Sequence, residues 1–181
     1  MRVIAGALKG RVLISPRGRE VRPTSDRTRT VIFDMLGPGN GRVLDLFAGA
    51  GTLGIEALSR GAGWVDFVDN SRPSLAALQK NLSRTHLEHH SRVILEDAFL
   101  FLARPRAVEA PYDLILADPP YDFTPYETLL LRLQPREILA EHGTIVLETS
   151  ARLPAPQAEP LTMTKERLLG ETAVRFYRRI A

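Results

Sequence analysis

The 181-residue chain contains no cysteine. Disulfides, thiolate nucleophiles and thiolate-ligated metals are therefore excluded. It has no apolar run near the roughly 18 residues that a membrane span requires. Met1-Arg2-Val3-Ile4-Ala5-Gly6 turns polar too soon for a signal peptide. A cytoplasmic protein with no membrane segment is the expectation. Histidine is scarce, with only His86, His89, His90 and His142. None stands at a metal-ligand spacing, so no metal site is expected, and the first three read as a solvated face beside a helix end. Lysine is scarcer still: Lys9, Lys80 and Lys165 are the only three among 24 basic residues.

What is present is ordinary in bulk and uneven in detail. A 44% hydrophobic and 25% charged composition is that of a globular domain, and the length fits one domain with a sizeable core. The net charge of +3 conceals an asymmetry. Residues 1–42 hold nine basic residues (Arg2, Lys9, Arg11, Arg17, Arg19, Arg22, Arg27, Arg29, Arg42) against Glu20, Asp26 and Asp34. A basic arm on a mildly acidic body points to a polyanion held at one end, and nucleic acid is the favoured partner.

Along the chain, 1–22 reads as a basic N-terminal β arm. Residues 23–37 read as a leading helix with Thr24 or Ser25 as N-cap. Its apolar face is Thr28, Val31, Ile32, Met35 and Leu36, and Gly37-Pro38 ends it. Residues 42–181 form the core of the same single domain. Strands are expected over 42–47, 64–69, 92–96, 112–117 and 143–148, alternating with helices over about 53–60, from Ser71 onward, 98–104 and within 125–140. Near-continuous apolar strands alternating with helices give an α/β fold, a mostly parallel sheet covered on both faces. The proline-rich segment 151–160 is a connector, and runs over 161–169 and 173–179 suggest a final antiparallel hairpin.

Gly49-Ala50-Gly51-Thr52-Leu53-Gly54 fits G-x-G-x-x-G between a strand and a helix, the context of a nucleotide-type cofactor. Asp69, followed by Asn70, ends the next strand and is placed to bind ribose hydroxyls. A dinucleotide oxidoreductase is one reading. Asp45, four residues before Gly49, opposes it, since a carboxylate there repels a pyrophosphate and suits an ammonium and a sulfonium. Glu96-Asp97-Ala98 ends the third strand and offers an acceptor to an adenine amino group. S-adenosylmethionine fits this succession better. Asp45, Asp69 and Asp97 also have plain alternatives as loop or N-cap residues.

The fourth strand delivers Asp118-Pro119-Pro120-Tyr121. Two prolines fix φ, remove two backbone donors and extend the residues before them. The result is a rigid turn bearing a carboxylate, carbonyls and a ring, suited to a planar amino group on an aromatic base. Asp118 and the Pro119 carbonyl would accept its two N–H groups, and Tyr121 would stack on the base.

With these motifs in place, the chain resembles the class I S-adenosylmethionine-dependent methyltransferases, and more narrowly the bacterial 16S ribosomal RNA guanine-N2 methyltransferase family, RsmD. The resemblance rests on Arg2-Val3-Ile4-Ala5-Gly6 with Lys9-Gly10-Arg11, on Arg22-Pro23-Thr24-Ser25-Asp26-Arg27-Thr28-Arg29, on Asp45-Leu46-Phe47-Ala48-Gly49-Ala50-Gly51 and on Asp118-Pro119-Pro120-Tyr121. It implies a Rossmann-like seven-stranded sheet with a reversed final hairpin. It also implies methylation of a guanine N2 amine in 16S ribosomal RNA, with the RNA or the small ribosomal subunit as partner; a monomer is expected. Asp118, Pro119, Pro120 and Tyr121 would be the catalytic set. Asp45, Phe47, Ala48, Gly49, Gly51, Gly54, Asp69, Asn70, Asp97, Ala98, Thr24 and Arg27 would hold the cofactor. Lys9, Arg11, Arg22 and Arg29 would bind RNA. An adenine-N6 methyltransferase and a non-catalytic RNA-binding protein on the same scaffold are the alternatives.

Overall fold

The computed structural model describes residues 1–16, 25–37, 39, 41–104, 110–120 and 122–180. Seven strands form one sheet: β1 (Arg42–Leu46), β2 (Trp64–Asp69), β3 (Ser91–Leu95), β4 (Tyr112–Ala117), β5 (Leu139–Ser150), β6 (Leu161–Leu169) and β7 (Thr172–Arg179). The helices are α1 (Asp26–Leu36), α2 (Thr52–Ser59), α3 (Arg72–Thr85), α4 (Ala98–Ala103) and α5 (Tyr126–Leu133). Strand order is β3-β2-β1-β4-β5-β7-β6. The first five pair in parallel, while β7 runs antiparallel to both β5 and β6. The chain thus moves outward from β1 to β3, then restarts at β4 on the other side of β1. That reversal opens a crevice at the carboxyl ends of β1 and β4, where ligands of such sheets bind.

Each face of the sheet has its own core. Val43, Val65 and Phe67 face α1–α3 and the N-terminal arm. Leu44, Leu46 and Val68 face α4 and α5. Strand alternation explains the split, and it also turns Asp45 towards α2.

The elements expected from sequence are present with small shifts. Ser25 caps α1 by accepting from the Thr28 amide, and Ser71 caps α3 through the Ser74 amide. Of the expected apolar face of α1, Thr28 and Ile32 are buried and Met35 and Leu36 are partly buried against the same core, while Arg29 and Phe33 are buried as well and Val31 is only half-buried. Arg29 reaches the arm by donating to the Arg2 carbonyl, and the Arg60 guanidinium lies 5.1 Å from the centroid of the Phe33 ring. Strand β5 begins at Leu139, four residues before the expected start. Leu139 pairs with Tyr112 across an irregular register, so the polar stretch Glu141-His142 belongs to a strand after all. The connector after β5 is fixed to the sheet by buried side chains. The Arg175 guanidinium donates to the carbonyls of Leu153 and Pro154, and the Tyr177 hydroxyl to that of Pro156.

One buried carboxylate ties the lower sheet together. Asp66, inside β2 and 0% exposed, accepts from Arg92, Arg42, the Trp64 indole and the Tyr112 hydroxyl, the last at 2.5 Å. Burial, then the bond to Asp66, push the Tyr112 hydroxyl well above its ordinary pKa. Removing the shared acceptor is therefore costly. Asp66→Ala is expected to lose about 3–5 kcal/mol of stability, lowering Tm by roughly 6–20 °C in a calorimetric melt. A fall of a degree or less would mean that the network contributes nothing.

The arm is not a free strand. Arg2 and Val12 form an antiparallel bridge, and the turn between them rests on α2. The Ile4 and Ala5 amides donate to the Glu56 carboxylate at 2.7 and 3.0 Å, and the Leu8 amide to Ser59 Oγ at 3.0 Å. Gly6 permits this approach: it has φ +79° and a Cβ there would lie 1.8 Å from the Ser59 carbonyl. Among the described residues, no helix is long and apolar enough to cross a membrane.

Candidate functional site

The crevice predicted by the strand order is a cleft of about 1100 Å³. Register brings its acidic residues together. Leu46 pairs with Ala117 and with Val68, so the residues just beyond these strands face one another. Asp69 pairs with Leu95, which sets Glu96 and Asp97 beside it. Ala117 pairs with Leu147, which sets Glu148 beside Asp118. Eight acidic residues line the cleft: Asp45, Asp69, Glu96, Asp97, Asp118, Asp122, Glu148 and Glu171. Among the described residues, Arg27 is the one basic side chain in the lining.

Asp45 is buried, and its Oδ2 accepts from the Gly54 amide at 2.8 Å. A side chain at Gly54 would clash, since a Cβ would lie 2.2 Å from the Phe67 ring and 2.9 Å from Asp45 Oδ2. Burial holds the Asp45 carboxyl well above its usual pKa, and the charges of Asp118 and Asp69 add to this while the Gly54 amide opposes it. The consequence for stability has a definite sign. The folded state keeps this proton at pH values where the unfolded chain, with an aspartate pKa of about 3.9, has released it. Stability from this group is therefore complete below about pH 4 and is lost as pH rises towards the folded pKa. Asp45→Asn should flatten that decline, as read from thermal melts across pH 4 to 8. Parallel profiles for the two proteins would contradict the assignment.

Asp69 fixes the glycine loop. Its Oδ2 accepts from the Gly49 amide at 2.8 Å and its Oδ1 from the Ser71 amide at 2.7 Å. Each oxygen has a second lone pair, and the residue lines the cleft. Gly49 (φ +55°) leaves open space where a Cβ would stand, so its backbone can approach a ligand closely. Phe47 adopts φ +60°, a left-handed conformation costly for a non-glycine residue. Asp97 caps α4, its Oδ1 accepting from the Phe99 and Leu100 amides, so the plain alternative for this residue holds alongside its place in the cleft wall.

Most of the expected site residues meet here. Asp45, Phe47, Ala48, Gly49, Asp69, Asn70, Asp97, Ala98, Asp118, Pro119, Pro120 and Arg27 all line the cleft. Gly51 and Gly54 do not; they stand behind the loop, where Gly51 takes φ +81° and Gly54 packs on Phe67. Arg22, Thr24 and Tyr121 lie outside the described residues. Lys9 and Arg11 are exposed on the arm and are not among the residues that line the cleft.

Arg29 requires correction. Expected to hold RNA, it is 0% exposed and donates to the Arg2 carbonyl at 2.9 Å and to Asp26 at 2.5 Å. It secures the arm to α1 and cannot reach a phosphate. The Pro120 carbonyl is likewise not bare, since it accepts from the Phe123 amide at 2.9 Å.

That turn brings in a ring not expected from the sequence, Phe123. Phe123 stacks on Phe99 (6.1 Å, 10°) and meets Phe47 (5.4 Å, 71°) and Tyr126 (5.0 Å, 70°) edge-on. All four rings line the cleft. Burial and the nearby Asp118 charge raise the Tyr126 hydroxyl pKa. The aromatic residues following the two prolines were the available signal. A cleft with acidic strand ends, one apolar aromatic wall and a backbone-bound glycine loop suits a cationic ligand carrying a flat apolar ring system.

Residues 1–178 match the family described as Conserved hypothetical protein 95. The chain is 38% identical over 182 residues to YlbH of Bacillus subtilis, covering 99% of each. It is 34% identical over 185 residues to ribosomal RNA small subunit methyltransferase D of Escherichia coli, covering 100% of this chain and 91% of that one. Among solved structures, yhhF from Escherichia coli superposes with a TM-score of 0.86 at 32% identity, over 99% of this chain and 97% of that one.

Proposed function

The chain belongs to the Conserved hypothetical protein 95 family, the RsmD family, and we propose that it transfers a methyl group from S-adenosylmethionine to the exocyclic N2 amine of a guanine in small-subunit ribosomal RNA. The observation that carries this reading is the position of Asp118-Pro119-Pro120 at the switch point, beside Asp45 and in an acidic cleft.

The residues fit the cofactor. When bound, S-adenosylmethionine supplies a methyl group carried on a sulfonium centre. Acidic walls favour that cation and disfavour the pyrophosphate of a dinucleotide. Asp69 keeps acceptor capacity for ribose hydroxyls, and Glu96 and Asp97 stand at the next strand end for an adenine amino group. The open face of Gly49 admits the ligand to the loop backbone.

An exocyclic amine is a weak nucleophile because its lone pair is delocalised into the ring. Asp118 and the Pro119 carbonyl accept its two N–H groups, which lets the nitrogen pyramidalise and directs the lone pair into the cleft. Orientation of this kind is worth about 7–11 kcal/mol. No strong base is needed, because the nitrogen becomes acidic as it gains positive charge, and its proton passes to the Asp118 carboxylate that already accepts a hydrogen bond from it. The base must leave its stack to reach this point. Phe123 and Tyr126 then offer it ring surface, with stacking worth roughly 1–3 kcal/mol per base.

RNA phosphates cannot enter the acidic cleft, so the exposed basic residues of the arm receive them. Replacing Lys9 and Arg11 together with alanine should weaken RNA binding and reduce the salt slope of log K by about 1.4–1.8. An unchanged slope would place the phosphate contacts elsewhere. The test of the activity is incorporation of a labelled methyl group from S-adenosylmethionine into unmethylated small-subunit RNA or particles. Absence of incorporation into either would defeat the proposal.

A further inference from the structure

Asn81 lies on the buried side of α3 and is 0% exposed. Its Oδ1 accepts from the Ile14 amide at 2.7 Å. Its Nδ2 donates to the Ile14 carbonyl and to the Ala50 carbonyl, each at 3.0 Å. One side-chain amide thus completes both backbone groups of an arm residue and the carbonyl at the centre of Gly49-Ala50-Gly51. The orientation of the amide is fixed by its partners. Exchanging its oxygen and nitrogen would set an N–H against the Ile14 N–H and an oxygen against two carbonyls.

Both segments that Asn81 touches continue into the cleft. Ser15 and Pro16 follow Ile14 and line it, as do Gly49 and Ala50. Ile14 lies past the Arg2–Val12 bridge, and Ala50 stands between glycines at φ +55° and +81°. We infer that Asn81 is a positioning residue that couples the N-terminal arm to the cofactor loop, so that ordering either one orders the other. This rests on the cofactor reading of the cleft given above. Linkage makes the effect reciprocal. RNA held by the arm and cofactor held by the loop sense one another through a side chain that touches neither.

Hydrogen exchange with S-adenosylhomocysteine as the probe tests this without RNA. In the unaltered protein, the probe should slow exchange in the glycine loop and also in residues 11–16, by at least about 5-fold, the lower end of ordinary coupling. In Asn81→Leu, which fills the volume without hydrogen bonds, loop protection should persist and arm protection should vanish. Probe affinity should fall by about 5-fold or more. Ile14→Pro makes the break from the arm side, removing one donor and leaving α3 and the loop intact, and should lower probe affinity in the same direction. Both variants are compared well below their melting temperatures, so that a loss of fold cannot imitate a loss of coupling. Loop protection without arm protection in the unaltered protein would overturn the inference, as would full arm protection in both variants. No binding of the probe at all would overturn the cofactor reading itself, and this inference with it.

Discussion

Asp118→Ala lowers methyl transfer by about 10²- to 10³-fold while S-adenosylmethionine binding stays within a few-fold of the unaltered protein. The expectation follows from what the carboxylate faces. Asp118 stands one residue past β4 in the cleft, whereas the glycine loop and α2 are held by two other carboxylates, Gly49 by Asp69 and Gly54 by Asp45. Its removal therefore deletes an acceptor for the reacting amine and leaves the cofactor walls standing. Loss of one preorganised polar partner at a reacting centre costs about 3–4 kcal/mol in the transition state, which is the stated range at 1.36 kcal/mol per decade. Asp118→Asn keeps one acceptor oxygen, so its loss should be nearer 10-fold, the worth of a single hydrogen bond. Rates from single-turnover methyl transfer and affinities from calorimetry separate the two effects. Equal loss of rate and cofactor affinity would remove Asp118 from the role assigned to it.

Asp69→Asn should produce the opposite split, a fall in cofactor affinity of about 10- to 100-fold, with the protein still folded. Both carboxylate oxygens accept backbone amides, from Gly49 and Ser71. An asparagine can satisfy only one of them and must turn its own N–H groups towards the other. The glycine loop then loses a charge-assisted bond worth about 1.5–3 kcal/mol, and the ribose loses its charged acceptor. Calorimetric titration with S-adenosylhomocysteine measures the change. An affinity within 2-fold of the original would show that Asp69 acts only as a turn residue.

The sequence made the sheet and the cleft legible because both depend on local, periodic signals. Apolar runs bounded by glycine or serine marked the strands, and the acidic residue closing each run marked the cleft. Its failures share a cause. Glu56, Asn81 and Asp66 look like ordinary polar positions on a helix or strand, yet each is buried and bonded to a partner at least 46 positions away. No periodicity reports such partners. Arg29 failed for the same reason: a basic residue in a basic segment reads as surface until the arm carbonyl it binds is known. Phe123 has no signal of its own in the sequence beyond its place after the prolines, since the ring immediately after them is Tyr121 and only the turn closed by the Phe123 amide on the Pro120 carbonyl brings the second ring in. In these cases the residue type was visible and its environment was not.

The most direct test is the identity of the modified nucleoside. Small-subunit RNA lacking the modification is incubated with the protein and S-adenosylmethionine, digested to nucleosides and examined by mass spectrometry against standards. A single new peak of N2-methylguanosine is the result expected of Asp118-Pro119-Pro120 holding a guanine amine. N6-methyladenosine, or no new methylated nucleoside, would contradict it.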